Sequence, residues 1–419
     1  MWVTEIIKFE LLKIWRRSIT KFLVFASLFI TILIFGVFFA LGTSAYDANG
    51  ERHQALEAIK IQKENMERNS GILTDDRIQN IIKVYADSVK GMDVGNQEKF
   101  YYELQNSSLY WKDIHPNYPI YTWLAFVYSK PNTSVTDLNI LLKARENSIS
   151  IYNARQQKLQ GILIGTNMAD IQSDEEQAYW MKENKKIKEP YRYGDYCGWQ
   201  NILQGGFSWY FTLLVICIII APVFSIEYKT KFDNILLTTQ FGRSKVVWAK
   251  IFAALLSGTT VYLVNSFVAL GLTFLFWGTN GWNLPIQIYS ALIPYPITFL
   301  EAVLLVLGIN YLILVAMIAM VLFLSSKMKS AFQVLVISGA LLILPGLLEK
   351  STVSSLYNHI LSLLPGQATA FANILQQYTA YNFRGGVISL PTMICFVYFI
   401  LFICSIWGIC KVYRIKQVE

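Results

Sequence analysis

The chain has 419 residues, of which 54% are hydrophobic and only 15% are charged. Soluble domains carry roughly 25% charged residues, and the mean hydropathy here is +0.39, so the composition indicates a membrane protein. It excludes disordered, collagenous and disulfide-stapled classes, and three His with five Cys leave little material for a metal cluster.

The chain begins with a cationic, apolar segment, residues 1–21, ahead of the first long apolar stretch. One helical arc carries Val3, Ile7, Leu11, Ile14 and Trp15, and the other carries Glu5, Lys13, Arg16 and Arg17. This pattern predicts an amphipathic connector helix along the membrane interface, with its cations toward anionic lipid headgroups. Ile6 and Phe9 interrupt the polar arc, which suggests a protein partner as well as membrane lipid.

Six apolar stretches are long enough to cross a bilayer as helices, which takes roughly 20 residues. They are Phe22–Gly42, Phe207–Ile226, Ile251–Trp277, Phe299–Ser325, Ala331–Leu348 and Val387–Cys410. A signal peptide has an apolar core of about 7–15 residues, so the first stretch, extended to residues 22–43, is expected to be a retained transmembrane helix.

Lys and Arg are distributed unequally between the short connections of these spans. With the amino terminus inside, fifteen lie in cytoplasmic segments and two, Lys350 and Arg384, lie in the short outer loops. The positive-inside rule therefore predicts a multi-pass protein of the cell membrane with both termini in the cytoplasm. Because the positive charge belongs to these membrane-facing segments, nucleic-acid binding is not expected.

Residues 44–205 form the one long connection, which the predicted topology places outside the cell. Helical signals dominate it: Thr74 is a helix cap, Ser173–Glu176 fits a capping box, and Thr136 starts a long predicted helix. Tyr121–Tyr128 is apolar but too short to span, and we expect a buried core helix rather than a surface that touches lipid or an amphipathic substrate. The region is predicted to be an all-α domain.

Residues for catalysis or ion coupling are sparse. Gly161–Thr166 is the nearest approach to a phosphate-binding loop but lacks its spacing and Lys, and the three His are dispersed. Glu227 and Glu301 lie at span ends rather than at mid-bilayer, which disfavours ion-coupled transport. Asn265 and Asn310 are expected to form hydrogen bonds between helices. We therefore expect a non-catalytic chain without a cofactor or metal of its own.

The loop between the second and third spans, residues 227–250 with Phe224 before it, has a recognisable order of residues. Its framing residues are Phe224, Glu227, Leu236, Leu237, Thr238, Arg243 and Lys250. They resemble the corresponding loop of type-2 ATP-binding-cassette (ABC) exporter permeases. The sequence departs from that pattern at Lys231 and Gln240, where the family commonly has Gly and Pro. The resemblance also covers the connector helix and the six spans, but not the outer domain.

The resemblance implies a permease subunit that pairs with a second, identical or related, permease subunit and binds two ATPase subunits. Those ATPases would hold the ATP and Mg. A short loop helix, Thr239–Arg243, would dock on an ATPase. The coupling residues implied are Phe9, Trp15, Arg16, Arg17, Glu227, Thr238, Thr239, Gln240, Phe241, Gly242 and Arg243. An ordinary solvated basic loop is the alternative.

Spans two and five would line the substrate pathway of such a permease. The pathway residues implied are Trp209, Phe211, Phe224, Phe332 and Gln333. Residues 356–378, apolar but interrupted at Pro365-Gly366, are expected to form short outer or re-entrant helices rather than a simple loop. The expected substrate is an amphipathic peptide, antibiotic or lipid, or an ion such as sodium.

Three other functions remain open at this stage. One is an ATPase-coupled signalling or mechanotransmission subunit through which no substrate passes, although six spans favour transport because such devices commonly manage with four. The others are an ion-coupled secondary transporter, which would need a mid-membrane acid, and a receptor or scaffold, which needs no docking loop.

Overall fold

The computed structural model describes residues 2–92, 100, 102–104, 106–131, 137–147, 149–164, 173–230, 232–239, 242–383 and 386–415. Five of its helical segments are long and apolar enough to cross a membrane. They are Ser18–Leu41, Cys197–Tyr228, Lys245–Trp277, Phe299–Lys327 and Leu390–Ile415. The protein is therefore a mainly helical membrane protein, as its composition indicates.

The regular elements are numbered here in chain order. The helices are α1 (Trp2–Trp15), α2 (Ser18–Ile32), α3 (Ala55–Arg68), α4 (Asp75–Ser88), α5 (Tyr118–Tyr128), α6 (Ile140–Asn147), α7 (Ile151–Ile164), α8 (Asp174–Asn184), α9 (Cys197–Gln204), α10 (Gly206–Ile220), α11 (Pro222–Lys229), α12 (Phe232–Thr238), α13 (Lys245–Trp277), α14 (Phe299–Lys327), α15 (Ala331–Leu347), α16 (Ser355–Leu363), α17 (Pro365–Ala368), α18 (Phe371–Leu375) and α19 (Leu390–Ile415). The strands are β1 (Ser44–Tyr46), β2 (Arg52–Gln54), β3 (Gly71–Ile72), β4 (Arg192–Tyr193), β5 (Ala380–Phe383) and β6 (Gly386–Ser389).

The connector helix is shorter than the predicted segment of residues 1–21. It ends at Trp15, and Arg17 adopts an extended conformation before α2 begins. The first span then runs through α2 and continues as a π-helix, Leu33–Leu41. The break at Arg17 separates the connector from the span, so α1 is free to lie against other helices.

The other predicted spans agree with observed helices except in length and continuity. The second is divided into α9, α10 and α11, with Pro222 at the start of α11, where its missing N–H is tolerated. The fifth, α15, has 17 residues and is about 25 Å long, less than a bilayer core of about 30 Å. By length alone, five spans are therefore supported rather than six.

The helices α16 to α18 fold back against the bundle beyond α15. Gln367 Nε2 donates to Pro345 O at 2.7 Å, and Asn310 Nδ2 donates to Thr369 O at 3.3 Å. Asn310 lies about 16 Å along α14 from its first residue, so this short-helix segment reaches well into the bundle. Asn310 therefore makes the predicted contact between helical segments.

The bundle has two distinct ends, which we call the terminal end and the domain end. At the terminal end Lys13 meets Glu227, and the rings of Phe224 and Tyr413 lie 5.2 Å apart. At the domain end Trp277 Nε1 donates to Phe39 O at 2.9 Å. The first and last described helices therefore both reach the terminal end.

The domain formed by residues 44–196 is mainly helical, with short strand pairs that the sequence did not predict. Strand β1 pairs with β2, and β3 pairs with β4, both antiparallel. The long helix expected from Thr136 is wrong: α6 and α7 are separate helices, and Thr136 lies outside the described residues. In α5, Tyr121 and Leu124 are fully buried, which confirms the core helix.

Helix caps in this domain follow the sequence. The Thr74 hydroxyl accepts from Arg77 N at 3.4 Å, and the Ser173 hydroxyl accepts from Glu176 N at 3.3 Å. Each satisfies one of the backbone donors that a helix start leaves without an intrahelical partner.

Two other connections complete the domain. Trp123 Nε1 donates to Gln287 O at 2.8 Å, and Arg155 Nε donates to Ala291 O at 2.6 Å, so the α13–α14 loop is part of its core. Trp180 packs edge-on against Tyr378, which precedes β5. The domain is therefore connected to the bundle through these two segments as well as through its own two ends.

Candidate functional site

Four charged side chains meet at the terminal end and form what we call the charge cluster. It consists of Glu10, Lys13, Glu227 and Lys250. The Lys250 ammonium lies 2.5 Å from Glu227 Oε1 and 3.1 Å from Glu10 Oε2. The Lys13 ammonium lies 2.9 Å from Glu10 Oε1 and 3.3 Å from Glu227 Oε1. Each carboxylate thus contacts both ammonium groups.

Three helices position the cluster. Glu10 and Lys13 come from α1, which packs along α13, the helix that carries Lys250. Trp15 fixes this contact, because its Nε1 donates to Ser257 Oγ on α13 at 3.2 Å. Glu227 comes from α11, the last helical segment of the second span.

A neighbouring contact anchors α11. The Ser325 hydroxyl on α14 accepts from Phe224 N at 3.1 Å and from Ser225 N at 3.0 Å. It also donates to Ala221 O at 2.6 Å. Ser325 therefore supplies partners for backbone groups at the break before Pro222, where the regular helical pattern is interrupted.

The cluster is buried and electrically neutral. Side-chain exposure is 7% for Glu10, 6% for Glu227 and 2% for Lys250, and it rises to 32% only for Lys13. Desolvation of buried ions costs several kcal/mol per ion, so such a cluster is weak evidence for extra stability. Removal of one member leaves an uncompensated charge. The cluster therefore fixes the position of α1 against α11 and α13.

One acceptor of the cluster is unused. Glu227 Oε2 is buried and has no hydrogen-bond partner among the described residues. Buried polar atoms are nearly always bonded, and an exception calls for a physical reason. Burial lowers the pKa of Arg17 overall, although the charges of Glu10 and Glu227 act in the opposite direction.

The predicted cationic arc of α1 is divided in the structure. Arg16 is exposed and Phe9 is 57% exposed, so both face away from the bundle. Lys13, by contrast, turns inward and lies 4.8 Å from the Phe9 ring. The expectation that Lys13 faces lipid headgroups is wrong, because two buried carboxylates attract it.

The loop after α11 approaches the cluster through Phe232. The Lys13 ammonium lies 5.6 Å from this ring, which begins α12. The helix that the structure describes in this loop is Phe232–Thr238, and the predicted docking element Thr239–Arg243 lies partly outside the described residues. Phe232 therefore places the start of α12 beside the charge cluster.

A tight turn follows α12. Thr239 Oγ1 donates to Leu236 O at 2.7 Å, and Gly242 N donates to Thr239 O at 3.3 Å. A Cβ on Gly242 would lie 1.7 Å from Leu236 O, so only glycine fits there. Arg243 is exposed. Two predicted coupling residues, Gln240 and Phe241, lie outside the described residues.

The residues predicted to line a substrate pathway are dispersed. Trp209 is buried between helices, where its Nε1 donates to Ser266 Oγ at 3.1 Å, and Phe224 is buried beside the charge cluster. Phe332 and Gln333 are exposed on α15. Phe211 lines an apolar groove of about 700 Å³ between α10 and the α15–α18 segment. The structure does not bring these five residues together.

Two other candidates have structural roles. Glu301 completes a capping box with Thr298 at the start of α14, which accounts for its carboxylate. Asn265 accepts from Thr31 Oγ1 at 2.7 Å and donates to Ser27 Oγ at 3.2 Å, a bond between helices as predicted. Glu227 is therefore the predicted acid whose surroundings point to function.

One group of side chains has ligand atoms close enough for a metal ion within the described part of the chain. Atoms of Asp47, Glu51 and His53 lie within 4.8 Å of one another. Backbone N–H of Glu51 lowers the pKa of Asp47, and the Glu57 carboxylate raises the pKa of His53. These contacts account for the arrangement without a metal ion.

Glu10 and Lys13 are the residues that sequence reasoning missed as cluster members. Both lie near the arc that the sequence assigned to lipid, and their partners are more than 200 positions away in the chain. The available signal was the pairing of Glu227 and Lys250 at opposite ends of one loop. No protein family, curated protein or solved structure matches this chain.

Proposed function

We propose that this chain is the membrane subunit of an ATP-driven exporter of the type-2 ABC class. It lies in the cell membrane with both termini in the cytoplasm, and a second permease subunit and two ATPase subunits complete the complex. ATP and Mg bind to the ATPases. The exported substrate is an amphipathic peptide, antibiotic or lipid, or an ion such as sodium.

The charge cluster is the observation that carries this proposal. An ATPase that pushes on the loop needs a rigid link from that loop to the spans. Lys13 touches Phe232 of α12 and both carboxylates, and Lys250 continues the ion pairs into α13. Rigid-body movement of a loop helix would therefore reach α1, α11 and α13 together.

The positions of the chain ends support six crossings and the proposed orientation. Five long helices alone would leave α1 and the end of α19 on opposite sides. Phe224 and Tyr413 instead meet at one end, which supports α15 with the segment after it as a sixth crossing. Basic residues dominate that end, which the positive-inside rule assigns to the cytoplasm.

The apolar groove beside α10 supports an amphipathic substrate. Its volume is about 700 Å³, and its aromatic walls include Phe207, Tyr210 and Phe211. Ligand sites for small molecules occupy roughly 300–1,000 Å³ and are mostly apolar with a few polar groups. Gln204 and Gln376 supply such polar groups here.

The test is recovery of an ATPase with the chain. The tagged full-length chain is purified from its native membrane in mild detergent, and ATP hydrolysis and bound subunits are measured. We expect a separate nucleotide-hydrolysing subunit. Arg243→Glu should lower the recovery of this subunit at least about tenfold. The reversed charge would then face a like charge across the interface, and like charges repel.

Lys21→Glu is the matched control, because Lys21 is an exposed cation at the same end but outside the loop. It should leave ATPase recovery unchanged. Recovery of no ATPase, or equal recovery with Arg243→Glu and wild type, would reject the proposal. Both variants must elute from size-exclusion chromatography as the wild type does.

Reconstituted vesicles separate export from the signalling alternative. If the complex hydrolyses ATP and hydrolysis is stimulated by amphipathic peptides or sodium that then move across the vesicle, export is supported. If ATP hydrolysis follows a protein partner of the domain and nothing moves, mechanotransmission replaces export. Substrate movement driven by an ion gradient without ATP would establish the ion-coupled alternative.

A further inference from the structure

A second groove opens at the terminal end, between α14 and α19. Its volume is about 580 Å³. Its lining includes Tyr228, Phe323, Lys327, Lys329, Trp407 and Lys411. None of these residues belongs to the charge cluster, and only Tyr228 lies within residues 227–250.

Each of the two helices carries a lysine four residues after an aromatic side chain, and both pairs line the groove. On α14, the Lys327 ammonium lies 4.7 Å from the Phe323 ring four residues earlier. On α19, the Lys411 ammonium lies 4.9 Å from the Trp407 ring, also four residues earlier. Both helices run toward the terminal end and pack along each other. Each aromatic ring therefore lies one turn deeper in the bundle than its lysine.

The groove has a single sign of charge. Three lysines line it, and no carboxylate does among the residues that the structure describes. Lys327 and Lys411 are exposed, so their charges are available at the surface. One helical turn earlier, Trp407 is 64% exposed and offers an apolar face beside the lysines. Basic grooves between spans on the cytoplasmic side suit anionic lipid headgroups.

We propose that this groove is a binding site for an anionic phospholipid. The phosphate lies between Lys327 and Lys411, and the part of an acyl chain nearest the headgroup runs along Phe323 and Trp407. Two features identify this occupant. The lysines complement a negatively charged headgroup, and the arrangement of a lysine above an aromatic ring occurs on both helices. The inference is independent of the exporter function, because it uses only residues of α14 and α19 with their flanks.

The test is lipid retention by the full-length chain. Native mass spectrometry is performed in micelles that contain equal amounts of phosphatidylglycerol and phosphatidylcholine with identical acyl chains. We expect the wild type to retain phosphatidylglycerol preferentially. Each lysine contributes about a fivefold preference, so Lys327→Gln/Lys411→Gln should lose about 25-fold in affinity for phosphatidylglycerol. Affinity for phosphatidylcholine should not change.

Lys21→Gln is the control for loss of one exposed charge at the same end, and it should change the preference less than about twofold. Lys327→Arg/Lys411→Arg should keep the preference and shows that the fold tolerates substitution. Equal retention of both lipids by the wild type, or an unchanged preference in the Gln variant, would overturn the proposal. So would displacement of the lipid by excess inorganic phosphate, which would identify a free-phosphate site instead.

A protein occupant is a further outcome that overturns the proposal. It would appear as loss of self-association or of a bound subunit in Lys327→Gln/Lys411→Gln while the preference for phosphatidylglycerol persists. Size-exclusion chromatography coupled to light scattering measures this on the same samples.

Discussion

At the scale of single residues, the charge cluster is costly to disrupt. Removal of one member of a buried ion pair costs about 3–5 kcal/mol, because its partner stays buried without compensation. Glu227→Gln and Lys250→Met should each lower the free energy of unfolding by that amount. The double variant should cost clearly less than the sum, since it removes one charge of each sign. Denaturant unfolding in mixed micelles measures the cycle.

The exposed pair of Lys60 and Glu64 provides a matched control for that cycle. Their charged atoms are 3.9 Å apart, and the side chains are 77% and 64% exposed. Lys60→Ala should therefore change stability by less than about 1 kcal/mol. If the loss of stability in the double variant equals the sum of the losses in the two single variants, the four side chains do not act as one unit.

Lys158 gives the domain a pH dependence of defined sign. It is 3% exposed, and burial lowers the pKa of its ammonium to about 8. Its amine donates to Phe126 O and to Ser129 Oγ near the end of α5. Between that pKa and the unfolded value of about 10.5, the unfolded chain binds more protons, so stability rises with pH.

The expected gain from pH 7 to pH 9.5 is on the order of 2 kcal/mol. The Lys158→Met variant should lack this increment, although it loses two hydrogen bonds and starts from a different stability. The measurement is the difference between the two unfolding curves at several pH values, because other groups titrate equally in both proteins. If the stability of wild type and of Lys158→Met changes equally with pH, Lys158 is already hydrated in the folded state.

At the scale of elements, the crossing of three spans depends on Gly258 of α13. A Cβ there would lie 2.4 Å from Ile318 Cδ1 and 3.1 Å from Ile216 Cγ2. Gly258→Val should destabilise the protein by about 1–3 kcal/mol, because the neighbouring side chains must move. Gly271 on the same helix has no atom within 4 Å of its built Cβ, and Gly271→Val is the matched control. A thermal unfolding shift of equal size in both variants would contradict a specific crossing.

The elements themselves could be predicted to different degrees from the sequence. Four of the six predicted spans correspond to long helices with similar bounds, because a continuous apolar run is sufficient evidence for a span. The second span was predicted in place, but its division at Pro222 was not. The small strand pairs were missed because two- to four-residue strands leave no alternating pattern.

The candidate site was only partly predictable for a different reason. Glu227 and Lys250 stand out as charges next to apolar spans. Glu10 and Lys13 do not, because an inward-facing charge on an amphipathic helix follows the same spacing as an exposed one. Their role appears only when α1 is packed on α13, a contact across some 240 residues of chain.

At the scale of the whole molecule, topology depends on whether the short helix α15 completes a crossing. Val353 lies just beyond it and is 90% exposed, Lys60 lies in the domain, and Lys8 is exposed on α1. If α15 crosses, Val353→Cys and Lys60→Cys should react with an impermeant maleimide in intact cells. Lys8→Cys should react only after the cells are opened, since it lies at the terminal end with the charge cluster.

The wild-type chain, with its five native cysteines, sets the background of this labelling experiment. Reaction of Val353→Cys on the same side as Lys8→Cys would mean that α15 turns back within the membrane. The meeting of Phe224 with Tyr413 at one end would then need another explanation. Reaction of all three from outside would remove the assignment of the terminal end to the cytoplasm. An ATPase could then not reach the charge cluster, and the exporter proposal would fail with the topology.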